Sequence, residues 1–383
     1  MSKTLSYILV SPYTISKSRT GGVISRILSR GNDLEFVGAA MIAPDESFVR
    51  DYASSLREQA KPNKSFLADY VERSLQPQNG KKQRVLLLAF EGEDTCRKLT
   101  EICGHLYPEH REVDSIVGQT IRDTYADLVV SPDDPQQFIF LEPAVLTPRG
   151  DAEARTNMAL INRLIKNSGN IIDFIEYNDK TKVERTLVIL KPDNWTFSSA
   201  RPGTIIDMLS QTGLRIIGTK MHHFSQEAAL EFYGPVEDVL KNKLSPIFGK
   251  KARELLEKAF GVPLNDKVEK ALSDSFGVEY ALDQFYQIVE FMSGHRPDRK
   301  ETRAVKCMIL VYEGENAVQK IRDVLGPTDP SKAPAGTIRK EFGSNVMVNA
   351  AHASDSTESF EREQKIVAIH ENDISKIIDD YLK

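Results

Sequence analysis

Residues 5–41, LSYILVSPYTISKSRTGGVISRILSRGNDLEFVGAAM, and residues 186–221, TLVILKPDNWTFSSARPGTIIDMLSQTGLRIIGTKM, carry the same pattern twice. Each copy gives an apolar strand, a proline loop, a helix opened at glycine, a glycine turn and a second strand. The correspondence resumes at RVLLLAFEGEDTCRKLTEICG (84–104) and KCMILVYEGENAVQKIRDVLG (306–326). In both, an apolar strand runs through an EGE turn into an amphipathic helix closed by glycine, a common C-terminal cap. Later GQTIRD (118–123) echoes AGTIRK (335–340). The expected fold class is therefore α+β: two tandem ferredoxin-like domains, each a four-stranded, mainly antiparallel sheet with helices packed on it.

The polar stretch EYNDKTKVE (176–184) marks the boundary and predicts domains of 1–178 and 179–383. Each copy carries an insertion. The first is a polar segment around 60–83. The second, about 234–284, includes ARELLEKAF and DKVEKALSDSF, whose apolar spacing predicts a helical pair packed on the domain or on a partner subunit.

A chain of 383 residues exceeds a comfortable single core. With 40% hydrophobic and 27% charged residues it has the composition of a soluble globular protein. No membrane span or signal peptide is visible, so a cytoplasmic protein is expected. Cys96, Cys103 and Cys307 match no zinc spacing and read as reduced, buried thiols. A net charge of -5 argues against binding nucleic acid through overall charge. Any phosphate binding must come from locally gathered cations.

The second copy has such cations at its loops: Lys191 after a strand, Arg201 before a helix, Arg322 late in a helix and Arg339 in AGTIRK. Singly each reads as a solvated charge; together they suit polyanionic phosphates. His352, in NAAHASDSTESFERE (349–363), is a candidate phosphoryl acceptor because imidazole is nucleophilic near neutral pH. Taken alone, HASDS reads better as an ordinary structural histidine beside polar neighbours.

The ordered set changes that balance. TLVILKPD, EFY (231–233), FMSG (291–294), VYEGENAV (311–318), LGPTDPSKAPAGTIRKEFG and NAAHASDSTESFERE together resemble the nucleoside diphosphate kinase family across most of 184–367. The resemblance implies a ping-pong kinase that moves the γ-phosphoryl group of a nucleoside triphosphate to a nucleoside diphosphate through phospho-His352. By motif, Ser354 and Glu363 would hold the ring, with Tyr233 close by. Arg322, Thr328 and Arg339 would hold phosphates. Lys191 and Asn349 would meet the ribose hydroxyls, Lys191 a phosphate as well, and Phe285 would stack on the base.

Stacking and ribose contacts do not read the base, so broad nucleotide specificity would follow. Mg2+ would arrive bound to the nucleotide, with Asp355 touching it through water. No Walker-type GxxxxGK[ST] is present, which disfavours a P-loop kinase.

Three features depart from the family pattern. Ala353 stands where glycine usually follows the histidine, the insertion separates Tyr233 from Phe285, and HRPDRKETRAVK (295–306) lengthens a short turn into a basic loop, read as solvated.

In the first copy Ser11 replaces Lys191, Thr100 replaces Arg322, Pro143 replaces Asn349 and Leu146 replaces His352; Arg122 matches Arg339. A leucine accepts no phosphoryl group, so this copy is expected to be silent and to serve as a built-in partner for the second, with a homo-oligomer left open. A nucleotide-binding regulatory module without turnover is the alternative. An RNA-binding sheet ranks last for want of an aromatic strand motif.

Overall fold

A computed structural model describes residues 3–59, 65–106, 119–134 and 137–383. Gly118 of GQTIRD and residues 60–64 of the first insertion lie outside the described residues. The strands are β1 (Thr4–Val10), β2 (Glu35–Ile42), β3 (Val85–Gly92), β4 (Asp127–Val130), β5 (Phe138–Glu142), β6 (Val145–Leu146), β7 (Val183–Leu190), β8 (Arg215–His222), β9 (Cys307–Glu315) and β10 (Ala351–Ala353). Two four-stranded sheets share one order, β2-β3-β1-β6 in the first copy and β8-β9-β7-β10 in the second. The α+β class with antiparallel four-stranded sheets is what the repeat predicted.

The copies agree down to single backbone angles. Asp94 and Asn316 open equivalent helices at φ 52° and 53°, and Ala144 and Ala350 precede the short edge strands at 63° and 70°. Asn and Asp tolerate this left-handed region, whereas alanine is held there only by its surroundings.

The chain divides into two compact units, and the division falls elsewhere than the repeat boundary. One unit, Met1–Met221, Met308–Glu361 and Ala368–Lys383, holds the cores of both sheets; the other is His222–Cys307 with Arg362–Val367.

Within the first unit, helices Thr20–Arg30 and Arg201–Ser210 pack so closely that a Cβ on Gly21 would lie 2.4 Å from the Gly203 carbonyl oxygen. Ser25 Oγ donates to Ala200 O at 3.0 Å across the same crossing. Asn372 Nδ2 donates to Ala39 O on β2 (2.8 Å), to Thr219 O on β8 (3.3 Å) and to Asn170 Oδ1 (2.8 Å). The C-terminal helix Ile374–Leu382 then lies on the first copy. Ile374 and Ile378 join its core, and Arg155 donates to Tyr381 O and Leu382 O, each at 2.8 Å.

Two features of the first copy are absent from the sequence expectations. Helix Glu46–Glu58 precedes its insertion and helix Phe66–Ser74 lies within it, both amphipathic, and the β4–β5 hairpin fills the segment before β6.

The second unit is helical. Helix Gln226–Phe260 contains ARELLEKAF, is capped by Ser225 accepting from Ala228 N, and ends at Gly261 with φ 65°. Asp266–Leu272, a wide turn at Ser273–Gly277 and helix Val278–Ser293 return the chain. Gly249 and Gly277 permit the crossing, since a Cβ on either would meet Ser273 or Ser245 within 2.3 Å. The basic loop is exposed over 298–304, as expected, with one exception. Arg296 is buried rather than solvated, 2.5 Å from Asp283 and 2.7 Å from Asp298, because a desolvated guanidinium needs carboxylate partners.

Candidate active site

Central strand β7 ends at Leu190, and Lys191 follows as the chain turns at Pro192. Lys191 N donates to Ala350 O at 3.0 Å, tying the β7 end to the segment that enters β10. The lysine side chain is buried. Its Nζ donates to Asn349 Oδ1 at 2.7 Å and to Met347 O at 3.1 Å. Burial first, and the nearby Arg339 guanidinium second, pull its pKa down to about 7, partly opposed by Asp193. A buried lysine poised near neutrality in a loop cluster is a signal of a working site.

Asn349 in turn donates through Nδ2 to Thr328 O (3.0 Å) and Val346 O (2.9 Å), so Lys191, Asn349 and the Thr328 loop form one network. Arg339 donates to Gly326 O at 2.9 Å and to Ala351 O at 3.1 Å, bracing the strand that carries His352. Arg322 donates to Asp355 O at 3.3 Å. The Asp355 carboxyl accepts from Ser359 Oγ at 2.6 Å, which holds it below the usual carboxylate range, with desolvation opposing and Arg322 and His352 adding charge.

His352 lies in the middle of β10, opposite Ile189 of β7. Ser354 is fully buried just beyond; its N donates to Leu187 O at 3.0 Å and its Oγ accepts from Leu187 N at 3.4 Å. Lys191, Arg322, Thr328, Arg339, Asn349, His352, Ser354 and Asp355 thus come together in the first unit.

Tyr233, Phe285 and Glu363 belong to the second unit. Tyr233 is buried on helix Gln226–Phe260, its ring 5.0 Å from that of Phe232. Glu363 is buried with Arg362 Nη2 at 3.5 Å from its Oε1, while Arg362 Nη1 donates to Phe232 O at 3.1 Å. Phe285 is 1% exposed, so a base can stack on it only if its surroundings open. Arg201 proves to be a structural cation rather than a solvated one: its Nη2 lies 2.6 Å from Asp193 Oδ2 and donates to Phe342 O at 2.9 Å.

The first copy keeps the frame without the chemical groups. Leu146 faces Leu9 of β1 in the register where His352 faces Ile189, and Ser11 N reaches Ala144 O at 3.0 Å as Lys191 N reaches Ala350 O. Arg122 donates to Gly104 O and Val145 O, reproducing the bracing by Arg339. Tyr13 Oη donates to Asp127 Oδ2 at 2.7 Å, and Tyr70 Oη donates to Glu142 Oε2 at 3.0 Å, tying the hairpin to the body of this copy.

Comparison with known proteins follows the second copy. The nucleoside diphosphate kinase family model matches residues 184–244 and 273–372. The gap between those segments lies inside the helical insertion, and the first copy is outside the match. The nucleoside diphosphate kinase of Anaeromyxobacter sp. (strain Fw109-5) is 33% identical over 176 residues, 46% of this chain and 83% of that protein. The one from Chlamydia pneumoniae is 32% identical over 178 residues, 46% and 85% of the two chains. A solved NDP kinase from Pyrobaculum aerophilum is 30% identical, covering 48% of this chain and 94% of that one with a TM-score of 0.34. This chain belongs to the nucleoside diphosphate kinase family.

Proposed function

We propose that the second copy is an active nucleoside diphosphate kinase, working by a ping-pong mechanism through His352. The observation that carries this reading is the buried network around β10. The near-neutral Lys191 binds Asn349, Asn349 binds the Thr328 loop, and Arg339 braces the histidine strand.

In the first half-reaction a ring nitrogen of His352 attacks, with its lone pair, the γ-phosphorus of a magnesium–nucleoside triphosphate. An N–P bond forms as the P–O bond to the β-phosphate breaks, and the diphosphate leaves with that electron pair. In the second half-reaction a terminal phosphate oxygen of another diphosphate attacks the phosphorus. The N–P bond breaks and the ring regains its lone pair.

Ser354 holds the ring, while Arg322, Thr328 and Arg339 spread the charge of the transferring group. Lys191 and Asn349 take the ribose hydroxyls. Mg2+ would enter with the nucleotide, and the Asp355 carboxylate would hold it through water. With leucine at the histidine position, the first copy transfers nothing. It replaces a partner subunit through the helix crossing at Gly21 and Gly203, with the repeat boundary at 178/179.

A regulatory nucleotide-binding module is the second reading. It is favoured by the burial of Phe285 and by the internal carbonyl partners that already meet the Lys191 ammonium. Mixing the protein with γ-labelled ATP and magnesium, then chasing with an unlabelled diphosphate, separates the two. The kinase gives acid-labile label on the wild type but not on His352→Ala, released on the chase as a new triphosphate. Nucleotide binding without label would establish the module.

A further inference from the structure

The peptide just before the histidine strand is held in an unfavourable shape, and one side chain outside the assigned site is built to hold it. Ala350 has φ 70°, and Ala351 N donates to Asn349 O at 2.8 Å across it. A positive φ with an i→i+2 hydrogen bond is the γ-turn of the rarer, strained hand. Such a turn persists only where its neighbours over-determine it.

Two donors meet the Ala350 carbonyl. One is Lys191 N, a backbone group fixed by the strand. The other is Asn194 Nδ2, 2.6 Å away, which also donates to Lys191 O at 2.9 Å. Asn194 is 2% exposed. Its amide orientation follows from its partners, because both are carbonyl oxygens and a flipped amide would set oxygen against oxygen. The choice leaves Asn194 Oδ1 buried without a hydrogen-bond partner, a cost accepted for the two donations on the other side.

The silent copy repeats the device with different chemistry. Ala144 has φ 63°, and Val145 N donates to Pro143 O at 2.7 Å, the same turn. Its carbonyl accepts from Ser11 N and from Thr14 Oγ1 at 3.0 Å. Thr14 is the fourth residue of SPYT as Asn194 is of KPDN. A side-chain donor aimed at this carbonyl is thus kept in both copies while its identity changes.

We infer that Asn194 is a positioning residue for phosphoryl transfer. By clamping the Ala350 carbonyl it holds the strained γ-turn, and the turn sets where the His352 ring stands, two residues on. The inference rests on the kinase reading above. Asn194 touches neither the nucleotide nor the reacting atoms; its effect runs through the backbone of residues 349–352. Without the clamp the turn relaxes, and a displacement of the ring by about 1 Å is enough to lower a transfer rate by up to about a hundredfold.

The test uses the full chain and the pair Asn194→Thr and Asn194→Val, which differ only in the hydroxyl that Thr14 uses in the first copy. At saturating magnesium–ATP, Asn194→Thr is expected to phosphorylate His352 within about threefold of the wild-type rate, and Asn194→Val to be about tenfold or more slower. In the Val variant the loss of rate should exceed any loss of affinity for a non-hydrolysable ATP analogue, since the clamp chiefly sets where the His352 ring stands. Independently of any transfer, the ring 15N signals of labelled His352 in the nucleotide-free protein should move in the Val variant and stay in place in the Thr variant. Equal rates and equal ring signals for Thr and Val would overturn the inference, as would a Thr variant as slow as Val. A wild type that transfers no phosphate would defeat the kinase reading, while the ring signals would still decide the clamp.

Discussion

Lys191 carries the most informative charge in the molecule. Its pKa falls from 10.5 in the unfolded chain to about 7 in the fold, chiefly through burial. Between those values the unfolded chain holds a proton that the folded chain lacks, so this group's contribution to stability rises with pH across that window. Below about pH 7 the full penalty of a buried ammonium is present. A phosphate brought beside it should restore the proton. Nucleotide binding at about pH 8 is therefore expected to take up a fraction of a proton, and much less at about pH 6, measured by calorimetry in buffers of different ionisation enthalpy. Lys191→Met should abolish the uptake. Glu153 of the first copy shows the opposite case: burial raises its carboxyl pKa although Arg149 N donates to it at 3.1 Å. Its ionisation at neutral pH opposes folding, so Glu153→Gln is expected to raise the Tm by a few degrees near pH 7. The gain should vanish near pH 4, where both states are protonated.

Among elements, the crossing of helices Thr20–Arg30 and Arg201–Ser210 depends on two glycines. A Cβ on Gly203 would lie 2.3 Å from Gly21 O and from Ser25 N, backbone atoms that cannot step aside without moving a helix. Gly203→Ala should cost about 1–3 kcal/mol, read as a lowered denaturation midpoint. The glycines at the starts of these helices were legible as turn and helix-opening signals, but their close approach was not. Periodicity states that a helix has an apolar face without stating what covers it. Asn194 was missed for a similar reason: KPDN reads as a turn, and its target carbonyl lies 156 residues further along the chain. The available signal was the polar residue at the same place in SPYT.

At the scale of the whole molecule, the first copy and the C-terminal helix are the open tests. Residues 179–383 expressed alone should self-associate or lose activity, because the face of helix Arg201–Ser210 that meets Gly21 would be bare. A stable, monomeric and fully active fragment, judged by light scattering and phosphoryl transfer, would refute the built-in partner. Removing helix Ile374–Leu382 withdraws Ile374 and Ile378 from the core of the first copy. Burying each such side chain is worth about 1.5–3 kcal/mol, so the truncated chain should unfold at a clearly lower denaturant concentration.

The amino-acid sequence by itself determined the duplicated unit, the four-stranded antiparallel class of each sheet and the loss of the histidine from the first copy. Strand periodicity and glycine turns are local properties, and both copies write them alike. The pairing of Leu146 with Leu9, in the register where His352 meets Ile189, follows from that likeness. Only the tertiary structure decided that Arg201 serves Asp193, that Arg296 is buried among carboxylates, and that the C-terminal helix belongs to the first copy's core. Those outcomes depend on which distant groups share a low-dielectric interior. A buried charge or apolar face takes whatever partner the fold brings to it, and no local pattern names that partner.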